Sequence, residues 1–442
     1  MLVTVSDMIK YSDLPSFIQK TVSDWQSSQE YATIIRNEKY NAGMNPSLNA
    51  AKWKRVALDT GGVLNLKPQH KITSHLFKTI VEKREHRVLN NPIAFNNGVD
   101  MGQNFQHTAK DLLHDALIGG VSWAFWEVDS VKQFKSTEFI PILDDDNGNI
   151  TKGIRMSQLA PDRPIIYEFF ELDGMTSFRQ NKQGGKIEQV SKIMPYRYSE
   201  RRWGNERQIT NAQNYNVLPI VPMYVNREKT SFLSQPVKSK IDAYDMMFTF
   251  YTDEFLKSNF IYFIMSGVGG TLEELVEVRN AAMQLGLIKI DGRDSTIDAK
   301  TLEPPHEAFD RIMDRLEDGV YQDSMTFNPA KIAGSANIAT AIMAGQKPEE
   351  ISSGGTEGHV RKCIEGILAI RGIESEVIIT PTEIIDDKSK TEMVSMMVDR
   401  QVLTPEMAVS FVPWMRGRED EIIASQRREL LGLDEYKESD DL

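Results

Sequence analysis

The sequence predicts an α+β protein, with helices and strands gathered in separate stretches of the chain. Three observations support this prediction. Residues 1–100 show the apolar spacing of helices, residues 121–198 are rich in strand-forming residues, and two long amphipathic helices later enclose a short mixed segment. A chain of 442 residues is too long for one ordinary hydrophobic core, so about two to four subdomains are expected.

Apolar spacing predicts two helices in the N-terminal part. Between residues 71 and 81, apolar side chains recur at helical spacing, which predicts a one-sided helix that ends near Asn90-Asn91-Pro92. A second helix is predicted from Phe105 to Ile118 and closes at Gly119-Gly120. The first hundred residues are therefore expected to be mostly helical.

The β-rich stretch follows these helices. Turn signals at Asn147-Gly148, Asp173-Gly174 and Gly184-Gly185 separate its strands. Four strands are predicted from β-branched and aromatic content, at residues 121–128, 137–143, 164–171 and 186–193. Residues 199–216, which are polar and rich in Asn and Arg, are predicted to form a mobile loop.

Two long helices are predicted in the second half of the chain. The first begins at a cap, Ser234, carries Pro236 in its first turn and ends near Ser258; a short edge strand at 218–226 precedes it. The second runs from Pro305 to about Asp323. Between the two helices, the pattern predicts a strand–helix–strand unit at residues 260–265, 272–285 and 287–290.

Composition limits the classes of function. A formal net charge of −12 argues against a protein that binds nucleic acid over a broad surface. It is compatible with a protein whose acidic surface repels phosphates, so that DNA passes along it without adhering. The single cysteine, Cys363, excludes an internal disulfide and fits a cytoplasmic origin. The apolar runs fall far short of the roughly 20 residues that span a bilayer, and the N-terminus lacks signal-peptide features. No membrane association is expected.

The C-terminal part carries the most distinctive motif. The run from Gln401 to Met415 predicts a helix that Thr404 caps, Pro405 opens and Pro413 stops, and a charged helix follows. This arrangement has packing residues but no combination of side chains that would perform catalysis.

Earlier motifs occur in a fixed order along the chain. They are Arg36-x3-Tyr40-x2-Gly43, Ala116-Leu-Ile-Gly119-Gly120, Pro219-Ile-Val and Gln235-Pro236-Val237. Together with the C-terminal run, they resemble the portal proteins, or head-to-tail connectors, of tailed bacteriophages, in particular the family found in long-tailed phages of Gram-positive hosts. The resemblance extends from about residue 30 to about residue 430.

The resemblance implies a portal fold. The wing covers residues 1–233 and contains a helical N-terminal part and the β-rich segment 121–198. Stem helix 1 at 234–258 and stem helix 2 at 305–325 enclose the clip, a small α/β module at 259–304. A wing return at 326–374 and a helical crown at 375–442 follow.

The wing return departs from the family pattern, in which a tunnel loop precedes one long unbroken helix. The loop corresponds to residues 331–337. Gly345, Pro348 and Gly354-Gly355 then interrupt the expected helix, and each is unfavourable inside one. A kinked helix is therefore expected.

The resemblance also implies a function. Twelve subunits would form a ring-shaped channel at one capsid vertex for the packaging and ejection of double-stranded DNA. The ring would dock the terminase large subunit and later the head-tail adaptor, and it would meet the major capsid and scaffolding proteins. Such a protein assembles in the host cytoplasm and ends in the virion. It needs no cofactor, no metal and no catalytic residue.

An acidic row on the second stem helix is the main candidate site. Asp310, Asp314 and Asp318 recur every four residues, and a closed ring would repeat each of them as a ring of negative charge that repels phosphates. An ordinary solvated acidic face is the equal alternative. The predicted tunnel loop adds three further channel candidates, Lys331, Ser335 and Asn337.

Two hypotheses concern single contacts. Lys331, the basic residue of the predicted tunnel loop, is expected to touch a phosphate transiently; a lone surface lysine is the alternative. Candidates for contacts with the motor or the adaptor surround the Asp-Gly turn of the clip: Lys289, Asp291, Arg293 and Asp294.

Two alternative functions stay open. The run from Ser266 to Thr271 is glycine-rich, follows a strand and opens a helix, as in a dinucleotide site. However, Leu272 occupies the third glycine position, and Thr271 with Glu274 forms a capping box that explains the loop without a ligand. A nucleotide-binding enzyme that uses residues 266–291 is the first alternative, and another phage structural protein, a scaffold or an adaptor, is the second.

Two clusters of polar side chains resemble metal sites, but neither supplies the ligands that a metal needs. His107, Asp111 and His114 share a helical face, yet no neighbouring residue completes a site. The Asp144–Gly148 run is predicted to be a hairpin turn, because its alignment to a calcium loop places apolar residues at the first and twelfth positions, where carboxylates are required.

Overall fold

The computed structural model describes residues 2–50, 55–57, 63–65, 70–182, 184–203, 206–258, 262–266, 296–300, 306–328, 338–382, 394–400, 402, 404 and 408. The chain divides into two compact units. The first comprises Met1–Lys331 and Gly345–Thr380, and the second comprises Ile332–Ala344 and Pro381–Leu442. In the second unit, helical residues are described at 338–344, 394–399 and 408.

The N-terminal helices are α1 (Val5–Ile9), α2 (Leu14–Gln26), α3 (Gln29–Asn41), α4 (Pro46–Ala50), α5 (Leu76–Leu89) and α6 (Phe105–Gly119). Side chains fix two of their starts, because Asp13 accepts a hydrogen bond from the Ser16 backbone and Ser28 accepts one from that of Tyr31. The predicted stop of α6 is confirmed. Gly120 adopts φ 93°, and a Cβ there would lie 3.0 Å from neighbouring backbone, so a larger residue would be strained.

The helix predicted to cover residues 71–81 in fact begins at Leu76. The preceding residues are bonded to a later part of the chain instead. The Ile72 backbone N–H donates to Thr249 Oγ1 at 3.1 Å, and the Ser74 N–H donates to Asp245 Oδ1 at 2.9 Å. These long-range bonds replace the first helical turn, which is why apolar spacing alone misplaced the start.

The strands are β1 (Arg55–Ala57), β2 (Val63–Asn65), β3 (Ala94–Phe95), β4 (Val121–Glu127), β5 (Ser130–Phe134), β6 (Phe139–Leu143), β7 (Ile150–Ser157), β8 (Ile165–Glu171), β9 (Gly174–Gln180), β10 (Ile187–Gln189), β11 (Arg197–Trp203), β12 (Glu206–Gln213), β13 (Ile220–Tyr224), β14 (Tyr262–Ser266), β15 (Thr296–Lys300) and β16 (Val377–Ile378). Two main sheets have the orders β10-β9-β8-β7-β6 and β13-β4-β5, and the pairings within both are antiparallel. Antiparallel sheets set apart from the helices agree with the predicted α+β class.

The predicted loop over 199–216 is wrong. Strands β11 and β12 form an antiparallel hairpin there, with Trp203 opposite Glu206. Gly204-Asn205 separates the two strands, and such a pair is a known signal for a two-residue hairpin turn. The polar composition concealed the signal because neither strand carries the apolar alternation of a buried face. Strands β5, β7 and β9 were also not predicted.

Two hydrophobic clusters hold the first unit together. In the larger one, α5, α6 and the later half of a long C-terminal helix pack around the three-stranded sheet. Aromatic rings connect this sheet to the five-stranded one, with Phe134 lying 5.7 Å from Phe170 and 5.9 Å from Phe139 between ring centroids. In the smaller cluster, Phe17 and Ile18 of α2 pack against the five-stranded sheet.

Three longer helices follow: α7 (Gln235–Ser258), α8 (His306–Asp323) and α9 (Ile338–Arg371). The first two confirm the predicted helices. The third is one helix that continues through Gly345, Pro348 and Gly354. A helix through this segment is thus confirmed, and a kink at these residues stays a prediction.

Candidate functional site

Helices α7 and α8 form an antiparallel pair. Near one end, Lys240 forms an ion pair with Asp323, and its ammonium group donates to the Gly319 carbonyl at 3.4 Å. Near the other end, the rings of Tyr251 and Phe309 lie 4.5 Å apart. As residue numbers rise along α7 they fall along α8, so the two helices run in opposite directions.

A different face of α7 is bound to the N-terminal helices through polar side chains. The hydroxyl group of Tyr40 donates to Asp242, and Asn45 Nδ2 donates to Asp245 Oδ2 at 2.8 Å. Asp245 is buried, and this burial raises the pKa of its carboxyl group, although the hydrogen bond from Asn45 acts in the opposite direction. These bonds fix α7 along its length to the body of the first unit.

The C-terminal end of α8 is held by a buried arginine. Arg84 of α5 is fully buried, and its Nη2 donates to the carbonyl oxygens of Ser324 and Met325, both at 3.3 Å. Its Nη1 lies 3.5 Å from the Glu349 carbonyl oxygen in α9. Burial lowers the pKa of Arg84 to about 10. One side chain therefore connects α5, the end of α8 and α9.

Two further contacts fix the chain that leaves α8. Glu349, which is itself buried, accepts a hydrogen bond from the Phe327 N–H at 2.9 Å. On the other side, Lys83 Nζ donates to the Phe327 carbonyl at 3.1 Å and lies 4.6 Å from the centre of the Tyr321 ring. We call Lys83, Arg84, Phe327 and Glu349 the α8 junction. The predicted tunnel loop comes next along the chain.

The three predicted aspartates share one face of α8. Asp310 and Asp314 are exposed, whereas Asp318 is half-buried and its Oδ1 lies 3.4 Å from Asn328 Nδ2. Glu317 also belongs to this acidic face and was missed by the sequence analysis. Burial raises the pKa of Glu317 most, and the negative charges of Asp318 and Asp314 raise it further. The structure thus brings four carboxylates together, and the spacing of Glu317 from Asp314 could have revealed the fourth.

The other candidate residues lie outside the described residues. These are Lys331, Ser335 and Asn337 of the predicted tunnel loop, and Lys289, Asp291, Arg293 and Asp294 of the predicted clip. Most of the predicted crown and the predicted elements at 272–285 and 287–290 also lie outside them.

The described part of the predicted clip gives evidence on the nucleotide-binding alternative. Strand β14, which would open a dinucleotide-binding unit, pairs antiparallel with β15, with Tyr262 opposite Lys300. A dinucleotide-binding unit is instead built from neighbouring parallel strands. The glycine run beyond Ser266 lies outside the described residues.

The clusters that resembled metal sites have other partners. His107 lies 3.7 Å from Asp111, and His114 Nδ1 lies 2.9 Å from Glu85, whose hydrogen bond raises the pKa of this imidazole. The Asp144–Gly148 run is a hairpin turn between β6 and β7, as predicted, and the Gly148 N–H donates to the Asp144 carbonyl. In the parts of the chain that the structure describes, no helix is long and apolar enough to cross a membrane.

Comparisons with known proteins place the chain in context. A family model described as phage portal protein, SPP1 Gp6-like, matches residues 26–430. No curated protein matches the chain significantly by sequence.

Several solved structures are similar to the chain at low sequence identity. One is from the neck of an empty GTA particle computed with C6 symmetry, with 10% identity and a TM-score of 0.46, covering 81% of this chain and 90% of that chain. A second, from the virion of a native gene transfer agent particle, has 11% identity and a TM-score of 0.41 and covers 75% and 86%. A third, from the neck of a native GTA particle computed with C12 symmetry, has 11% identity and a TM-score of 0.41 and covers 76% and 89%.

Proposed function

The chain belongs to the SPP1 Gp6-like family of phage portal proteins, and from this premise we propose that it forms a ring-shaped channel at one capsid vertex. Double-stranded DNA would pass through this channel during packaging and ejection. The observation that carries the proposal is the extent of the family match, which covers residues 26–430 and therefore nearly the whole chain. The resemblance of its motifs points to a long-tailed phage of a Gram-positive host.

The regions of the channel follow from the same membership. Helices α7 and α8 would form the stem, the segment 259–304 between them the clip, and residues 1–233 with the return at 326–374 the wing. Residues 375–442 would form the crown. The antiparallel pairing of α7 with α8 supports this assignment, because a stem needs two helices that run side by side and return to the body.

The acidic face of α8 would repel the DNA backbone. In a cyclic assembly, Asp310 and Asp314 each recur once per subunit, so two exposed carboxylates become two rings of negative charge. Such rings keep phosphates from adhering to the wall, since a low affinity for the backbone is what allows a duplex to move. Twelve subunits are proposed for the ring in the virion.

The α8 junction would position the tunnel loop. It fixes the chain at Phe327, just before the loop candidates Lys331, Ser335 and Asn337, through hydrogen bonds on both sides of that residue. A loop that starts from a fixed point can meet the duplex at a defined radius. Lys331 would supply a transient phosphate contact there.

The proposed partners are those of a portal. The terminase large subunit would dock on the clip and later give way to the head-tail adaptor, with Lys289, Asp291, Arg293 and Asp294 as the candidate contacts. The major capsid and scaffolding proteins would surround the wing during assembly in the host cytoplasm. The chain would need no cofactor and hydrolyse nothing, because the terminase motor supplies the energy.

Electron microscopy of the purified protein tests this function. We expect class averages down the symmetry axis to show closed rings whose central hole admits a DNA duplex. Because some portals close only beside their partners, a sample co-expressed with the scaffolding and capsid proteins would be the second condition. Absence of rings under both conditions would overturn the proposal.

A further inference from the structure

The hairpin formed by β11 and β12, residues 197–213, belongs to the first unit, and we call it the arm. Among the described strands it pairs with no third strand. The described side chains at its root, 197–199 and 211–213, are exposed. An isolated two-stranded hairpin is marginally stable in water, so a hairpin of this length is expected to pack against something.

The root of the arm is rigid. Tyr196 is buried, its ring lies 6.5 Å from that of Phe170, and its hydroxyl group donates to the Glu171 carbonyl at 2.6 Å. Asn214, at the end of the other strand, donates to the Asp173 carbonyl at 2.7 Å and accepts a hydrogen bond from the Tyr196 N–H. Both strands therefore leave the body from fixed positions, which suits an arm that must reach a defined target.

The charge of the arm is opposite to that of the chain. Its 17 residues contain four arginines and two glutamates, whereas the whole chain has a formal net charge of −12. The strand register also places Arg202 directly opposite Arg207. Residues directly opposite in an antiparallel pair share a face, and like charges there are destabilising unless an anionic group neutralises them. The arm therefore carries a net positive charge, which suits an acidic target.

A groove beside the root has the complementary character. It has a volume of about 730 Å³ and is lined by β4, the β4–β5 turn and the segment before the arm. We call it the β4–β5 groove. Three apolar side chains around it are substantially exposed: Val128 (45%), Val190 (63%) and Tyr198 (39%). Asp129, which is exposed, and Glu127, which pairs with Lys132, bring carboxylates to the same groove.

The arm cannot fill the groove of its own chain while it remains extended. The groove lies at the root, and strands of seven and eight residues carry the tip roughly 20 Å away. The extended arm is therefore expected to reach the groove of another subunit.

We propose that the arm of one subunit docks in the β4–β5 groove of the next, with the turn end of the arm at the groove and the net positive charge of the arm matched to Asp129. This inference rests on the proposed ring. The arm and the groove are different surfaces of one chain, so the contact is head-to-tail, and a head-to-tail contact repeated around an axis closes a ring. Every subunit then gives one arm and receives another.

Cysteine cross-linking between two differently tagged copies tests the contact. One copy carries Trp203→Cys and the other carries Val190→Cys, and the two are co-expressed as full chains. A short bifunctional maleimide should join them into a heterodimer. The native Cys363 should not interfere, because it is buried and burial raises the pKa of its thiol to about 12. The matched control replaces Val190→Cys with Leu159→Cys, which is 94% exposed on another loop, and should give no heterodimer.

A charge swap provides a second measurement that does not alter Trp203. Arg202→Glu with Arg207→Glu should lower the yield of rings roughly tenfold at low salt, and adding Asp129→Arg should restore it. The control, Arg163→Glu with Lys182→Glu, makes the same charge change at two exposed positions and should leave the yield unchanged.

The outcomes separate this inference from the proposed function. If rings form but the cross-linker joins no heterodimer, and if the charge reversal does not change the yield of rings, the arm contact would be overturned and the portal function left intact. Absence of rings in the wild-type protein, with and without its partners, would overturn both. A third sample, in which one chain carries both Trp203→Cys and Val190→Cys, tests whether the arm folds back. A cross-link within this chain, with none between the two tagged copies, would also contradict the proposal.

Discussion

The two ends of α8 differ sharply in their surroundings. At the C-terminal end, Gly319, Val320 and Tyr321 are buried, and the following carbonyl groups are held by Arg84. At the N-terminal end, Asp310 and Asp314 are exposed, and the rings of His306 and Phe309 pack against Tyr251 of α7. The helix is anchored at one end and displayed to solvent at the other.

This difference separates stability from function along one helix. Buried hydrogen bonds at the anchored end are costly to break, because each loss leaves a polar group unsatisfied. Exposed charges at the displayed end contribute little to folding, yet they set the local potential. Substitutions at the anchored end should therefore unfold the protein, whereas those at the displayed end should change only its behaviour toward DNA.

The largest effect is expected for Arg84→Met. This change removes the donors that satisfy the carbonyl groups of Ser324 and Met325 in a fully buried position. We expect a loss of about 3 kcal/mol or more in the free energy of unfolding, measured by urea denaturation. The control is Arg311→Met on the displayed part of α8, whose side chain is 77% exposed and should change stability by less than about 0.5 kcal/mol. Equal effects of the two variants would contradict the comparison.

A second prediction extends the comparison to a buried carboxylate in the body. Asp115 of α6 is buried, and its Oδ2 accepts hydrogen bonds from the Ser136 N–H and hydroxyl at 2.8 and 2.9 Å. Burial raises the pKa of Asp115 to about 6. The pKa of an aspartate in an unfolded chain is lower, about 3.9. Between about pH 4 and pH 6, the folded state therefore keeps a proton that the unfolded state has already lost. Stability therefore falls as the pH rises from about 4 to about 6.

Asp115→Asn keeps the acceptor and removes the charge. The stability of the variant relative to the wild type should improve by about 2–3 kcal/mol between pH 4 and pH 7, measured by urea denaturation at each pH. Asp310→Asn, an exposed counterpart on α8, should show no comparable trend. A difference between wild type and Asp115→Asn that stays constant with pH would contradict the prediction.

Two glycines of α9 provide a third and smaller test. A Cβ at Gly366 would lie 2.8 Å from Val221 Cγ1 of β13, whereas a Cβ at exposed Gly354 would meet nothing within 4 Å. Gly366→Ala should therefore destabilise the protein by about 1 kcal/mol or more. Gly354→Ala should stabilise it by about 0.5–1 kcal/mol, because alanine favours the helix. The pair is compared by thermal unfolding, and a stabilising Gly366→Ala would show that α9 and β13 can separate freely.

Local patterns explain which features could be predicted from the sequence. The spacing of apolar residues along α7 and α8, and the four-residue repeat of Asp310, Asp314 and Asp318, are visible without a structure. The α8 junction has no such pattern. Arg84 resembles any charged residue on a helix, and its hydrogen-bonding partners lie 240 or more positions later in the chain. Contacts at that separation leave no trace in a single sequence.

The arm shows a different limit of prediction from the sequence. Its strands were mistaken for a loop because a hairpin exposed at its root needs no apolar alternation, and alternation is the main sign by which a strand is recognised. The start of α5 was misplaced for the opposite reason, since its apolar residues fit a helix that hydrogen bonds to Thr249 and Asp245 prevent from forming. The second error arises because long-range hydrogen bonds take precedence over local preference.

The last prediction concerns the displayed end, where the effect on stability should be smallest and the effect on DNA clearest. Asp310→Lys with Asp314→Lys leaves Asp318 and its contact with Asn328 in place. Stability should change by less than about 0.5 kcal/mol, whereas packaging should slow or leave DNA bound, because two proposed rings of carboxylates become rings of ammonium groups that attract phosphates. Asp162→Lys with Asp173→Lys, at exposed positions of the β-rich region, repeats the change of charge away from the channel. If both pairs packaged DNA at the wild-type rate in an in vitro assay, the acidic face of α8 would be only a solvated surface.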